Sequence, residues 1–91
     1  MYKRYLVEFV GSLFLMFVIL TTGNWAAIGG ALGIAVLLGG NISRGAFNPA
    51  VAITLAIARK ISYQELIPYI IVEILGMIVA YYLYLAIMKV N

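Results

Sequence analysis

Four polar side chains stand out in a chain that is otherwise mostly hydrocarbon: Glu8, Arg44, Asn48 and Glu73. Arg44 and Asn48 share the stretch "SRGAFNPAVAI" from Ser43 to Ile53, where Pro49 and Ala50 follow the asparagine. An amide both donates and accepts hydrogen bonds, a carboxylate only accepts, and a guanidinium only donates. Histidine and cysteine are absent, so the commonest general base, thiolate metal sites and disulfides are all missing. The composition argues against an enzyme, and no catalytic residue, metal site or cofactor is assigned.

The surroundings set the solvent. Of 91 residues, 66% are hydrophobic and 10% charged, far from the balance of a soluble domain, and so short a chain could not bury that surface in one core. The net charge of +3 is no nucleic-acid signal, because the six cations sit at segment ends and form no patch. The bilayer is the natural medium, and the fold class expected is an all-α membrane protein.

Three apolar segments could cross it, at about residues 5–22, 25–40 and 66–88, within a single domain over 1–91. The first spans roughly 27 Å as a helix and ends in the turn cluster Thr21-Thr22-Gly23-Asn24. Lys3 and Arg4 ahead of an apolar run could signal secretion, but no small-x-small cleavage site follows cleanly and Glu8 interrupts the run. Asn41-Ile42-Ser43 is a formal glycosylation sequon.

Residues 41–59 are the odd piece. Asn48 is a strong N-cap and Pro49 suits the first helical position, so a helix should start there and run to about Arg59. At roughly 16 Å it covers half a bilayer of about 30 Å. Arg59 and Lys60 suit its C-terminal end at the interface, which puts Asn48 at the midplane: a re-entrant half-helix. The irregular backbone before it, Gly40 to Phe47, must pack among helices or line water, because lipid cannot satisfy its amides and carbonyls. If it lines water, the carbonyls are acceptors, the Asn48 amide supplies donors, and the positive helix end repels cations. An N-capped helix lying flat at the interface, with no pore, reads equally well from the residues alone.

Glu8 and Glu73 each lie several residues inside a span, where ionisable groups face a partner or a cavity. The loop offers both of them backbone amides, and Arg44 as counter-charge; both read as braces, with Glu8 as a snorkelling interface residue the bland alternative. Gly29 and Gly33 form a GxxxG pair, and Gly11 and Gly76 give the other spans one point of close approach each. The glycine run is no phosphate loop, because no Lys-Ser/Thr follows it. Tyr2, Tyr5, Tyr63 and Trp25 fit interfacial anchoring.

The stretch "GGNISRGAFNPAVAITLAIARKIS" resembles the first NPA loop and half-helix of the aquaporins, the major intrinsic proteins. "EFVGSLFLMF" resembles their first helix and "YIIVEILGMIVAYYL" their third, so the similarity covers nearly the whole chain. The family fold has two inverted halves, each with three spans and one half-helix, and its two NPA motifs meet at the midplane. This chain resembles the amino-terminal half.

The resemblance implies a role for each position. Asn48 would donate to a central water, with Pro49 and Ala50 packed on the opposing motif. The carbonyls of Gly45, Ala46 and Phe47 would form an acceptor track, and Glu8 would hold the loop amides. There are departures. The family usually has Gly at Arg44, His at Ala46 and Gln at Glu73; Ile28 falls where many members place a filter aromatic, and Val51 follows the motif where the filter arginine would stand after the second one. Arg44 is the available substitute for that arginine.

In the family topology Lys3, Arg4, Arg44, Arg59 and Lys60 lie on one side and Lys89 on the other, which makes that side and the N-terminus cytoplasmic in an inner membrane. The bias opposes an inverted homodimer and favours a separate, oppositely oriented partner half within a higher oligomer. The function expected is a passive channel for water or small neutral solutes such as glycerol. A proton-coupled transporter using Glu8 and a non-conducting interaction protein associating through Gly29 and Gly33 are the alternatives.

Overall fold

Each turn of the chain is set by a local device. In the computed structural model, which describes residues 2–88, α1 runs Lys3–Thr22 and stops where Gly23 turns left-handed (φ 53°), its N–H bonded to the Ile19 carbonyl at 3.0 Å. Asn24 then caps α2 (Trp25–Ser43), its side chain accepting from the Ala26 and Ala27 amides at 3.0 Å. α2 passes the end expected at Gly40 and closes on Arg44, which is left-handed (φ 75°) and donates its N–H to the Gly40 carbonyl at 2.9 Å. The irregular stretch is therefore shorter than the Gly40–Phe47 reading: its core is 44–48.

α3 (Pro49–Ile57) begins at Asn48, whose side-chain oxygen accepts the Ala50 amide at 2.8 Å, with Pro49 in the first turn. Arg59 ends it in a left-handed turn (φ 63°). α4 (Tyr63–Met88) starts earlier than Leu66 because Ser62 and Glu65 cap each other: the Glu65 carboxylate accepts from the Ser62 amide at 3.1 Å, and the Ser62 hydroxyl accepts from the Glu65 amide at 3.3 Å.

The chain is an all-α membrane protein. α1, α2 and α4 are long and apolar enough to cross a bilayer, and α3 is a nine-residue half-helix. α1 is the central post, with α2 and α4 on it and α3 on α4. A Cβ on Gly76 would lie 2.5 Å from the Phe9 carbonyl oxygen, so glycine there sets how closely α4 meets α1. The core gathers around the loop in two clusters: Ala46, Ala52, Ala56, Ile61 and Tyr69 on one side, Leu15, Ala31 and Phe47 on the other. Most apolar side chains point outward, Leu37 at 77% exposure among them, as suits a chain dissolved in hydrocarbon.

Candidate functional site: the loop at residues 44–48

Phe47 anchors the loop. It is fully buried in a slot where a Cβ on Gly11 would overlap its ring and one on Gly39 would lie 3.5 Å from it. Left-handed residues at Arg44 (φ 75°), Gly45 (φ 66°) and Phe47 itself (φ 56°) bend the loop, whose 45–47 amides face inward. Glu8, itself fully buried, takes them up: Oε1 accepts from the Phe47 amide at 2.8 Å, and Oε2 accepts from the Ala46 amide at 3.2 Å and the Ser43 hydroxyl at 2.6 Å. The Ser43 hydroxyl in turn accepts the Gly45 amide at 3.2 Å, and the Tyr69 hydroxyl donates to the Ser43 carbonyl at 2.7 Å.

In a trans peptide the C=O points opposite to the N–H. With the amides of Ala46 and Phe47 turned to Glu8, the carbonyls of Gly45 and Ala46 point away from it. Among the described residues, no group donates to the carbonyls of Gly45, Ala46 or Phe47. The loop is thus satisfied on one side and presents acceptors on the other. Asn48 and Ala50 are exposed beside this edge and Pro49 is half-buried. The Asn48 side-chain oxygen is spent on its cap, which leaves the NH₂ group as a donor.

Glu73 behaves differently. It is fully buried beside Glu8 and the Asn48 backbone amide, yet neither of its oxygens has a partner in hydrogen-bond geometry; the Ser12 hydroxyl is also buried without one. Glu73 is ten residues into α4, about 15 Å from its start, or half the thickness of a hydrocarbon core. The loop tip and the Asn48 amide lie at the same level along α4.

Two expectations need correcting. Arg44 is not the counter-charge of Glu8 or Glu73: the ion pair among the described residues joins Arg4 to Glu65, and Arg44 lies exposed at the end of the bundle because α2 terminates on it. Nor can Arg44 share a filter with Ile28 in this chain. Sixteen residues of α2 separate them by about 24 Å, and Ile28 packs beside the Leu15–Phe47 cluster while Val51 is exposed near the loop tip. Gly11 and Gly76 lie at close contacts, whereas a Cβ on Gly29 or Gly33 would meet nothing within 4 Å, so that face of α2 is open. Tyr5, half-buried, packs edge-on against Tyr69 with centroids 5.8 Å apart. Lys89 lies outside the described residues.

Sequence reasoning missed Ser43, Tyr69 and Gly39. Ser43 had a signal, a hydroxyl one residue before the loop; Tyr69 and Gly39 act across the fold and had none.

Three apolar spans, an Asn-Pro-Ala loop opening a nine-residue helix and a buried glutamate bracing it define a class of membrane protein. The chain belongs to the major intrinsic protein family, whose model matches residues 1–91, and it is an integral membrane protein. It is similar to glycerol uptake facilitator protein-like 6 of Lactiplantibacillus plantarum, at 41% identity over 87 residues, which is 86% of this chain and 40% of that protein. It is also similar to aquaporin AqpM of Methanothermobacter thermautotrophicus (40% over 67 residues, 69% of this chain, 27% of the relative). Aquaglyceroporin-2 of Rhizophagus irregularis is 44% identical over 63 residues, 65% of this chain and 20% of the relative. The chain thus spans two fifths or less of these curated relatives. No solved structure matches it.

Proposed function

We propose that the chain forms half of a passive transmembrane channel for water and small neutral solutes such as glycerol. The observation that carries this reading is the polarity of the loop: its amides are tied to Glu8 and Ser43, and its carbonyls are left open beside the Asn48 side chain. A solute entering there exchanges water for the carbonyls of Gly45, Ala46 and Phe47, then for the Asn48 amide, and moves down its own gradient. The α3 N-terminus, with its positive end at mid-depth, disfavours cations.

The open side of the loop and the exposed Asn48 and Ala50 call for a second surface. In this reading an oppositely oriented half supplies it, its own Asn-Pro-Ala meeting Pro49 and Ala50, within a larger oligomer that uses the open Gly29 and Gly33 face. The loop end, with Lys3, Arg4, Arg44, Arg59 and Lys60, faces the cytoplasm of an inner membrane and carries the N-terminus with it. That bias favours a separate partner chain over an inverted homodimer. Both oxygens of Glu8 are already occupied by donors, which supports a brace over a proton carrier. The test is osmotic shrinkage of vesicles holding two halves in opposite orientation, with Asn48→Leu as the variant that removes the donor.

A further inference from the structure

Four helix ends converge at the loop end of the bundle: Arg4 at the start of α1, Arg44 after α2, Lys60 after α3 and Glu65 at the start of α4. They line a polar pocket of about 370 Å³, with Asn41 and Tyr69 also in its wall. Its one carboxylate is committed, since Glu65 holds Arg4 on one oxygen and the Ser62 amide and hydroxyl on the other. The Tyr69 hydroxyl is committed to the Ser43 carbonyl. Arg44 and Lys60 are exposed and neither side chain makes a hydrogen bond or ion pair among the described residues. Two cations thus face one pocket in which no carboxylate among the described residues is left to neutralise them.

We infer that this pocket binds a phosphate group, with Arg44 and Lys60 as its principal ligands and the Asn41 amide as a neutral donor. A guanidinium fits phosphate with two parallel N–H bonds, and an ammonium adds a mobile point charge. The pocket lies where the spans end, at the level of lipid phosphates, and basic pockets between spans on the cytoplasmic side suit anionic headgroups. A headgroup phosphate and a free phosphate share this chemistry. The site is separate from the pore edge of the loop and does not require the channel to conduct; only its place on the cytoplasmic side rests on the orientation proposed above.

The experiment is native mass spectrometry of the full chain in detergent, offered phosphatidylglycerol and phosphatidylcholine in equal amounts, with calorimetric titration of inorganic phosphate alongside. Phosphatidylglycerol should be retained over phosphatidylcholine. Arg44→Gln and Lys60→Gln should each lower its retention about fivefold, and the double variant about 25-fold. Arg59→Gln makes the same charge change outside the pocket and should leave retention within about twofold. Lys60 lies outside the helices, so its variant keeps the helical circular dichroism that validates the comparison. Phosphate binding with the same residue dependence but no lipid preference would support the site with a soluble ligand. Equal retention of the two lipids with no phosphate binding, or a loss in Arg59→Gln as large as in Lys60→Gln, would overturn it.

Discussion

The Glu8 carboxylate on α1 accepts the amide of Phe47, thirty-nine residues away, at 2.8 Å. Its other oxygen holds Ala46 and Ser43, so a single buried side chain fixes three consecutive features of the loop: the end of α2, the inward amides and the approach to Asn48. Glu8→Gln replaces one acceptor with a donor facing amide donors. The expected loss is about 2–3 kcal/mol locally, so the Phe47 and Ala46 amides should exchange hydrogen about 30- to 150-fold faster by mass-resolved exchange. Unchanged protection at Phe47 would show that the loop holds without this contact.

Glu73→Gln should have the opposite sign. The carboxyl is buried with no partner, whereas an amide of the same shape can donate to Glu8 and accept from the Asn48 N–H. Thermal unfolding in detergent should rise by the equivalent of about 1–2 kcal/mol. A salt bridge with Arg44 would have made this substitution destabilising; since there is none, Glu73→Gln and Arg44→Gly should add within about 0.5 kcal/mol.

Arg44→Gly removes a side chain from a left-handed position (φ 75°) that glycine occupies without strain. Relief of about 1–2 kcal/mol is partly offset by the freer unfolded chain, leaving a net gain of about 0.5–1 kcal/mol in the same unfolding assay. A loss in stability would mean that the Arg44 side chain makes a contact worth more than the strain.

The glycines separate into two kinds. Gly76→Ala pushes a methyl onto the Phe9 carbonyl and should cost about 1–3 kcal/mol, because backbone cannot move aside as a side chain can. Gly33→Ala meets open space and should gain about 0.5–1 kcal/mol from helix propensity. If Gly33→Ala leaves the monomer stable but weakens oligomers on a sizing column, the open face of α2 belongs to an assembly.

The contrast between those glycines also marks where sequence stops being informative. Local signals placed much of the fold: the long apolar runs make α1, α2 and α4, and Asn48-Pro49 starts α3 because both residues act within one turn. Ser62-x-x-Glu65 was equally local and would have moved the start of α4 to Tyr63. Other features depend on distant parts of the chain. Phe47 reads as one more aromatic until Gly11 and Gly39 are seen to open its slot, and GxxxG at Gly29 and Gly33 looks the same whether its partner lies inside the chain or outside. Glu8 and Glu73 both look like braces in sequence; only three-dimensional placement gives one of them three donors and the other none.

The proposed channel requires that the Asn48 half-helix conduct once an inverted half faces it. Three spans put the start of α1 and the end of α4 on opposite sides of a bilayer, so a tandem of two copies joined by a short polar linker inverts the second copy. The decisive measurement is stopped-flow light scattering on liposomes refolded with that tandem, stepped first into an impermeant osmolyte and then into glycerol. A pore of this kind gives fast shrinkage, reduced to the rate of bare lipid by Asn48→Leu in both copies at unchanged helicity, with re-swelling in glycerol. Lipid-like permeability from a well-folded tandem, or fast flux indifferent to Asn48→Leu, would contradict it.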